Sequence, residues 1–163
     1  MIGEEFTMDL KTEKTVEKVR AAIKDRAVWL ALLYDTFMEA LPEAEVERLC
    51  RKAIFEFGRM KAKKDPEPFT HRDWVRRHEE KGSALVFESD IEYCEHHSVQ
   101  RMNFCPLVEA WKEMGLAPER IDTLCDIAME GDRGRAAAHG VSMELNETIG
   151  KGDRFCRLVI RET

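Results

Sequence analysis

Apolar residues recur at steps of three and four between Thr15 and Leu41: Val16, Val19, Ile23, Ala27, Leu30, Tyr34, Phe37 and Leu41. This is the helical period, and it predicts one long amphipathic helix. Trp29, Leu32 and Leu33 widen its apolar face, so the helix must be covered on more than one side or pack against another subunit. A homodimer through the N-terminal helices is therefore expected. After Leu41 and Pro42 the same period returns in "EAEVERLCRKAIFEFGRMKAKK", which predicts a second helix antiparallel to the first across a short turn.

The two prolines of "KKDPEPFT" mark a loop. Thr70 and Asp73 then have the spacing of an N-terminal cap for a short helix carrying Trp74 and Val75. In "SALVFESDIEYCEHH" the period changes to two: Leu85, Phe87, Ile91 and Tyr93 would share one side of a strand, and Val86, Glu88, Asp90, Glu92, Cys94 and His96 the other. "FCPLVEAWKEMG" reads as a compact helix opened by proline and closed by glycine. "APERIDTLCDIAMEGD" reads as another, with "MEGDRG" at its end, and "VSMELNETI" and "FCRLVIRE" as a closing hairpin. The expected class is α+β: a helical N-terminal half packed on a small, mostly antiparallel sheet with additional short helices. Residues 1–163 are expected to form a single domain, with a helical part over about 12–80 and a strand, helix, helix and hairpin part over about 84–163.

Composition narrows the function classes. Apolar residues make up 44% and charged residues 36%, and Asp plus Glu exceed Lys plus Arg by 32 to 26, for a net charge of -6. This balance argues against a general binder of nucleic acid or of an anionic membrane. The N-terminus lacks the basic and apolar runs of an export signal, and no segment approaches a membrane span, so a cytoplasmic protein with mostly reduced thiols is expected.

Chemistry-bearing residues crowd into "YCEHHSVQRMNFCP". Cys105 precedes a proline and should sit at a helix N-cap, where free amides and the helix dipole favour a thiolate. The alternative is a small apolar side chain tucked under a turn. Cys94 and His96, two apart on a strand, point the same way and could chelate zinc with Cys105 as third ligand, although the spacing matches no standard zinc pattern. His96 or His97 could instead serve as a general base. Cys125 and Cys156 fall on apolar positions and read as core. Glu130, Asp132 and Arg133 cluster at the expected helix end, where they could orient a base or bind a carboxylate.

Taken together, "FCPLVEAWKEMGL", "IDTLCDIAMEGD" and "TIGKGDRFCRLVI" resemble the C-terminal signature of the L-2-amino-thiazoline-4-carboxylic acid hydrolase family. The resemblance covers about residues 84–163 and extends more loosely to the glycine of "FEFGRMKAKK". It implies a hydrolase that opens a cyclic amidine-like C–N bond of a small-molecule substrate. It also implies that Cys105, Cys125 and Cys156, with acids at Asp132 and Asp153, stand where the family places such residues. Asp126 and Asp132 flank Ala128 where many members carry an acid, so the identity of the working carboxylate stays open. Two mechanisms follow: Cys105 as a thiolate nucleophile with His96 or His97 moving protons and Asp132 orienting them, or zinc held by Cys94, His96 and Cys105 activating water. The competing class is a non-catalytic domain that binds or senses a small molecule or metal.

Overall fold

The structure, a computed structural model, describes residues 9–163. Asp9 caps α1 (Leu10–Met38) by accepting from the amides of Lys11 and Thr12. Pro42 opens α2 (Glu43–Ala62), and Thr70 and Asp73 form the reciprocal capping box of α3 (His71–Glu80), as their spacing predicts. A short helix, α4 (Ser83–Val86), leads into β1 (Ser89–Tyr93) and β2 (His97–Met102). Helices α5 (Pro106–Glu113) and α6 (Pro118–His139) follow, then β3 (Val141–Glu147), a 3-10 turn at Ile149–Lys151, and β4 (Cys156–Glu162). The four strands form one antiparallel sheet in the order β1-β2-β4-β3. The class is α+β, with helices packed on a small antiparallel sheet. Among the described residues no helix is long and apolar enough to cross a membrane.

Two expectations are corrected here. Residues 83–97 do not form one strand: Ser83–Val86 is helical, and Gly82, at φ +73°, makes the left-handed link from α3 that a side chain would disfavour. Only Ser89–Tyr93 is extended, and His97 opens a further strand whose sequence, "HSVQRM", lacks any apolar alternation. Its Ser98 and Gln100 are buried, held by His71 Nδ1 at 2.8 Å from Ser98 Oγ and by the Gln100 amide donating to Ser89 Oγ at 3.2 Å. The second correction concerns α6, which does not end at Asp132 but runs on to His139 and stops at left-handed Gly140.

Gly131 and Gly134 lie inside α6 because they meet α2 there. A Cβ on Gly58 would lie 1.9 Å from the Gly131 carbonyl oxygen, and one on Gly134 would lie 2.0 Å from the Phe55 carbonyl oxygen. The two helix backbones touch. α1 and α2 touch each other little: α2 packs chiefly on α6 and α1 on α5. The α1–α5 contact is locked by the Trp111 indole N–H, which donates to the Ala27 carbonyl at 2.9 Å.

The core falls into two clusters strung along α6. Ala27, Ala31, Tyr34, Trp111, Leu124 and Ile127 centre the first, and Phe69, Trp74, Ala136, Leu158 and Ile160 the second. A buried ion network ties the far end of α6 to the loop before α3. Arg135 binds Asp65 through two hydrogen bonds of 2.6 and 2.8 Å, and His139 Nε2 meets the same carboxylate at 3.0 Å. The Arg135 guanidinium also lies over the rings of Phe69 and Trp74. Burial pushes the Asp65 carboxyl up, but the hydrogen bonds from Arg135 and His139 outweigh it and hold the carboxyl below its ordinary value. Asp65→Asn would leave Arg135 buried without its counter-charge, at a cost of about 3–5 kcal/mol. Denaturant unfolding near neutral pH should show that loss. The gap should narrow in acid, because the stabilisation from a depressed carboxyl is present above its unfolded pKa and fades as it becomes protonated.

Candidate functional site

The histidines of the hairpin and the thiol of α5 stand at opposite ends of β2. Cys94 donates its amide to the His97 carbonyl at 2.9 Å, closing the hairpin turn, and the His96 side chain is 84% exposed at the tip. His97 begins β2 opposite Arg161, whereas Met102, at the other end, pairs with Cys156. The five residue steps between them span about 16 Å of strand. Cys94 and His96 therefore do not converge with Cys105, and neither histidine can serve a reaction there. Among the described residues no group of three or more His, Cys, Asp and Glu is placed to hold a metal ion.

A different convergence exists at Cys105. This residue is the N-cap of α5, half-buried, and its thiol feels those of Cys125 on α6 and Cys156 on β4. Gly150 closes the group: a Cβ there would lie 2.6 Å from Cys125 Sγ, and the neighbouring Ile149 amide donates to Cys156 Sγ at 3.3 Å. Burial dominates the chemistry of these thiols. It pushes Cys125 up to about 12 and Cys156 up to about 11. It also raises Cys105, against the opposing pull of the Val108 and Leu107 amides. The helix N-terminus thus acts as the sequence suggests, yet the surroundings are too apolar for it to win.

The two candidate acids separate cleanly. Asp126 is bound by Arg51 at 2.6 Å and by Arg133 at 2.5 Å, in a network on the α2 side of α6 that also takes Glu130. Asp132 faces elsewhere. At 100° per residue it shares one line along α6 with Ile121, Cys125 and His139, and it lies about 10 Å beyond Cys125. That position is the seam between the two core clusters. The residue is half-buried, and it takes part in no hydrogen bond or ion pair among the described residues. Burial raises the carboxyl, and His78, Arg135, Lys61 and Arg26 oppose that shift.

His78 is the residue that the sequence did not single out. It stands on α3 one turn beyond Trp74, stacked on that indole with centroids 6.0 Å apart. Its Nδ1 hydrogen-bonds the Trp74 carbonyl at 2.9 Å. A carbonyl can only accept, so Nδ1 carries the proton and the neutral ring leaves Nε2 as a base. Burial lowers the imidazole below its ordinary value, and the charge of Asp132 opposes that shift. The Trp74 indole N–H beside it is buried and has no partner among the described residues. A carboxyl pushed toward its neutral form and an imidazole pushed toward its neutral form make a donor and an acceptor that can exchange roles. Asp153 has a simpler duty, accepting from the Thr148 amide at 2.9 Å to shape the turn before β4.

Two open cavities lie elsewhere. One of about 530 Å³ is lined by Val16, Val19, Ile23 and Val86, and another of about 550 Å³ by Arg51, Phe55 and Glu130. Neither contains Cys105, His78 or Asp132.

Among solved structures the chain is similar in fold to a trafficking protein particle complex subunit 3 from Naegleria fowleri, covalently bound to palmitic acid. The TM-score is 0.56 and the identity 13%, over 86% of this chain and 94% of that one. No curated protein matches the sequence. A family model described as L-2-amino-thiazoline-4-carboxylic acid hydrolase matches residues 20–160, a span that takes in α5, α6, the thiol group and the seam at Asp132. The chain therefore belongs to the L-2-amino-thiazoline-4-carboxylic acid hydrolase family.

Proposed function

We propose that the protein hydrolyses a small cyclic amidine-like C–N bond, and that Asp132 and His78 carry the proton transfers. The observation that carries this reading is the neighbouring pair of Asp132, whose carboxyl is pushed toward its neutral form, and His78, whose tautomer is fixed by the Trp74 carbonyl. Protonated Asp132 donates to the ring nitrogen of the amidine while His78 Nε2 takes a proton from water, whose oxygen bonds to the amidine carbon. In the second step the new hydroxyl returns a proton to Asp132 and a carbon–oxygen double bond forms. The ring C–N bond breaks with its electron pair on nitrogen, which takes the proton held by His78. Both groups end as they began. Each is tuned by burial toward the protonation state that the first step needs.

In this reading Cys105 and Cys125 do not attack the substrate, because burial keeps both thiols protonated near neutral pH. The test is direct: purified protein is given 2-amino-thiazoline-4-carboxylate and ring opening is followed by NMR. Turnover that persists with a metal chelator present, and that falls by less than about tenfold in Cys105→Ser, is the expected result. Near-complete loss in Cys105→Ser would restore the thiol as nucleophile, and absence of turnover of this or any related cyclic amidine would end the reading.

A non-catalytic binding role is the second reading, favoured by the covalent palmitic acid named for the structural relative and by the apolar surroundings of half-buried Cys105. It predicts thermal stabilisation by a ligand that is not consumed.

A further inference from the structure

We propose that the uncovered apolar faces of α1 and α2 join two copies of this chain about a twofold axis that passes near Trp29. This inference does not depend on the catalytic reading. In α1, Trp29, Leu33 and Phe37 follow one another at steps of four and stay exposed, Trp29 by 72%. In α2, Leu49, Phe57 and Met60 are exposed as well. The buried side of α1 is a separate stripe through Val16, Ala27, Ala31 and Tyr34, so the exposed residues belong to a second face and not to a ragged edge of the first.

Area and charge both select a second copy as the occupant. Together these side chains and their immediate apolar neighbours expose on the order of 800 Å², the amount each partner contributes to a stable interface of ordinary size. Lys18 lies eleven residues before Trp29 and Glu39 ten after it, on the same flank of the stripe. Neither has an ion-pair partner among the described residues. Two copies of α1 crossing antiparallel at Trp29 bring Lys18 of each beside Glu39 of the other, twice over. That complementarity is a property of self-pairing through a twofold.

Sedimentation velocity of the full chain, from low to high micromolar concentration, tests the proposal. A dimer is expected in the micromolar range. Leu33→Glu should give a monomer with unchanged circular dichroism, because Leu33 is half exposed and belongs to neither core cluster. Trp29 is the one exposed indole, Trp74 and Trp111 being fully buried, so its emission should shift to the red and its quenching by acrylamide should rise as the dimer dissociates. Lys18→Glu should weaken the dimer by about fivefold or more, and adding Glu39→Lys should recover most of that loss. A monomer at every concentration, which would leave the face to a lipid surface or an unlike protein, overturns the proposal. So does a dimer insensitive to Leu33→Glu, and a charge exchange without recovery removes the twofold at Trp29.

Discussion

Gly134→Ala should cost upwards of about 3 kcal/mol and leave little folded protein at physiological temperature. The new methyl would sit 2.0 Å from the Phe55 carbonyl oxygen and 2.8 Å from its carbon, both backbone atoms of α2 that cannot rotate out of the way. One helix would have to move by an ångström or more, and Gly58, three residues further along α2, is itself in backbone contact with α6 and resists that shift. Gly131→Ala, three residues earlier, provides the control. There the nearest atom outside the helix is the Ile54 Cγ2 at 3.6 Å, an ordinary contact. The better helix propensity of alanine should make that variant neutral, or more stable by up to about 1 kcal/mol. Thermal unfolding of the pair checks the argument, and equal melting temperatures would refute it.

Asp132→Asn is expected to lower kcat by roughly 10² to 10⁴ while making the protein more stable. The carboxyl is raised by burial, so the folded state holds its proton to higher pH than the unfolded chain does. Stability is therefore complete below the ordinary carboxylate range and is lost as pH rises through the gap between the two values. The neutral amide escapes that loss, so the variant should melt a few degrees higher at pH 7–8 and show no advantage at pH 4. His78 has the opposite sign. Its lowered value means that stability is present above the ordinary imidazole range and is lost as pH falls, and His78→Gln should abolish that acid-side loss. Activity of the wild type should fall wherever His78 is protonated or Asp132 is ionised, because the first step needs a neutral imidazole and a neutral carboxyl. Each variant should erase one limb along with most of the rate. An Asp132→Asn protein of unchanged kcat would remove the carboxyl from the chemistry whatever its effect on melting.

The regular parts of the fold were legible because burial there follows period. α1 and α2, the capping box of α3, the proline-led α5 and the closing strands all announce themselves through apolar spacing and end signals. The failures have specific causes. Leu85, Val86 and Phe87 alternate like a strand, but Gly82 frees the chain to turn a further helical step at Ser83. β2 buries Ser98 and Gln100, and their hydrogen bonds with His71 and Ser89 make burial affordable where no apolar pattern exists. "MEGDRG" looks like a helix end because glycine usually is one; only the approach of α2 explains two glycines inside α6. Of the candidate site, Asp132 and the thiols were visible as single residues, but the approach of Cys105 to Cys125 and Cys156 depends on how α5, α6 and β4 pack, which no local pattern carries. His78 was hidden in "RRHEEK", a run that reads as solvated. The available signal was its place one turn after Trp74 on the side of α3 that carries the buried indole.

The embrace of α2 by α6 also governs when the chain can fold. Gly58 and Gly131 are separated by more than seventy residues, and α1 likewise waits for α5, so neither N-terminal helix meets its principal partner within the first half of the sequence. During synthesis, which proceeds at about 5–20 residues per second, the ribosome must hold two amphipathic helices with bare apolar stripes until α6 has emerged. Those seconds are when the nascent chain is most exposed to wrong partners.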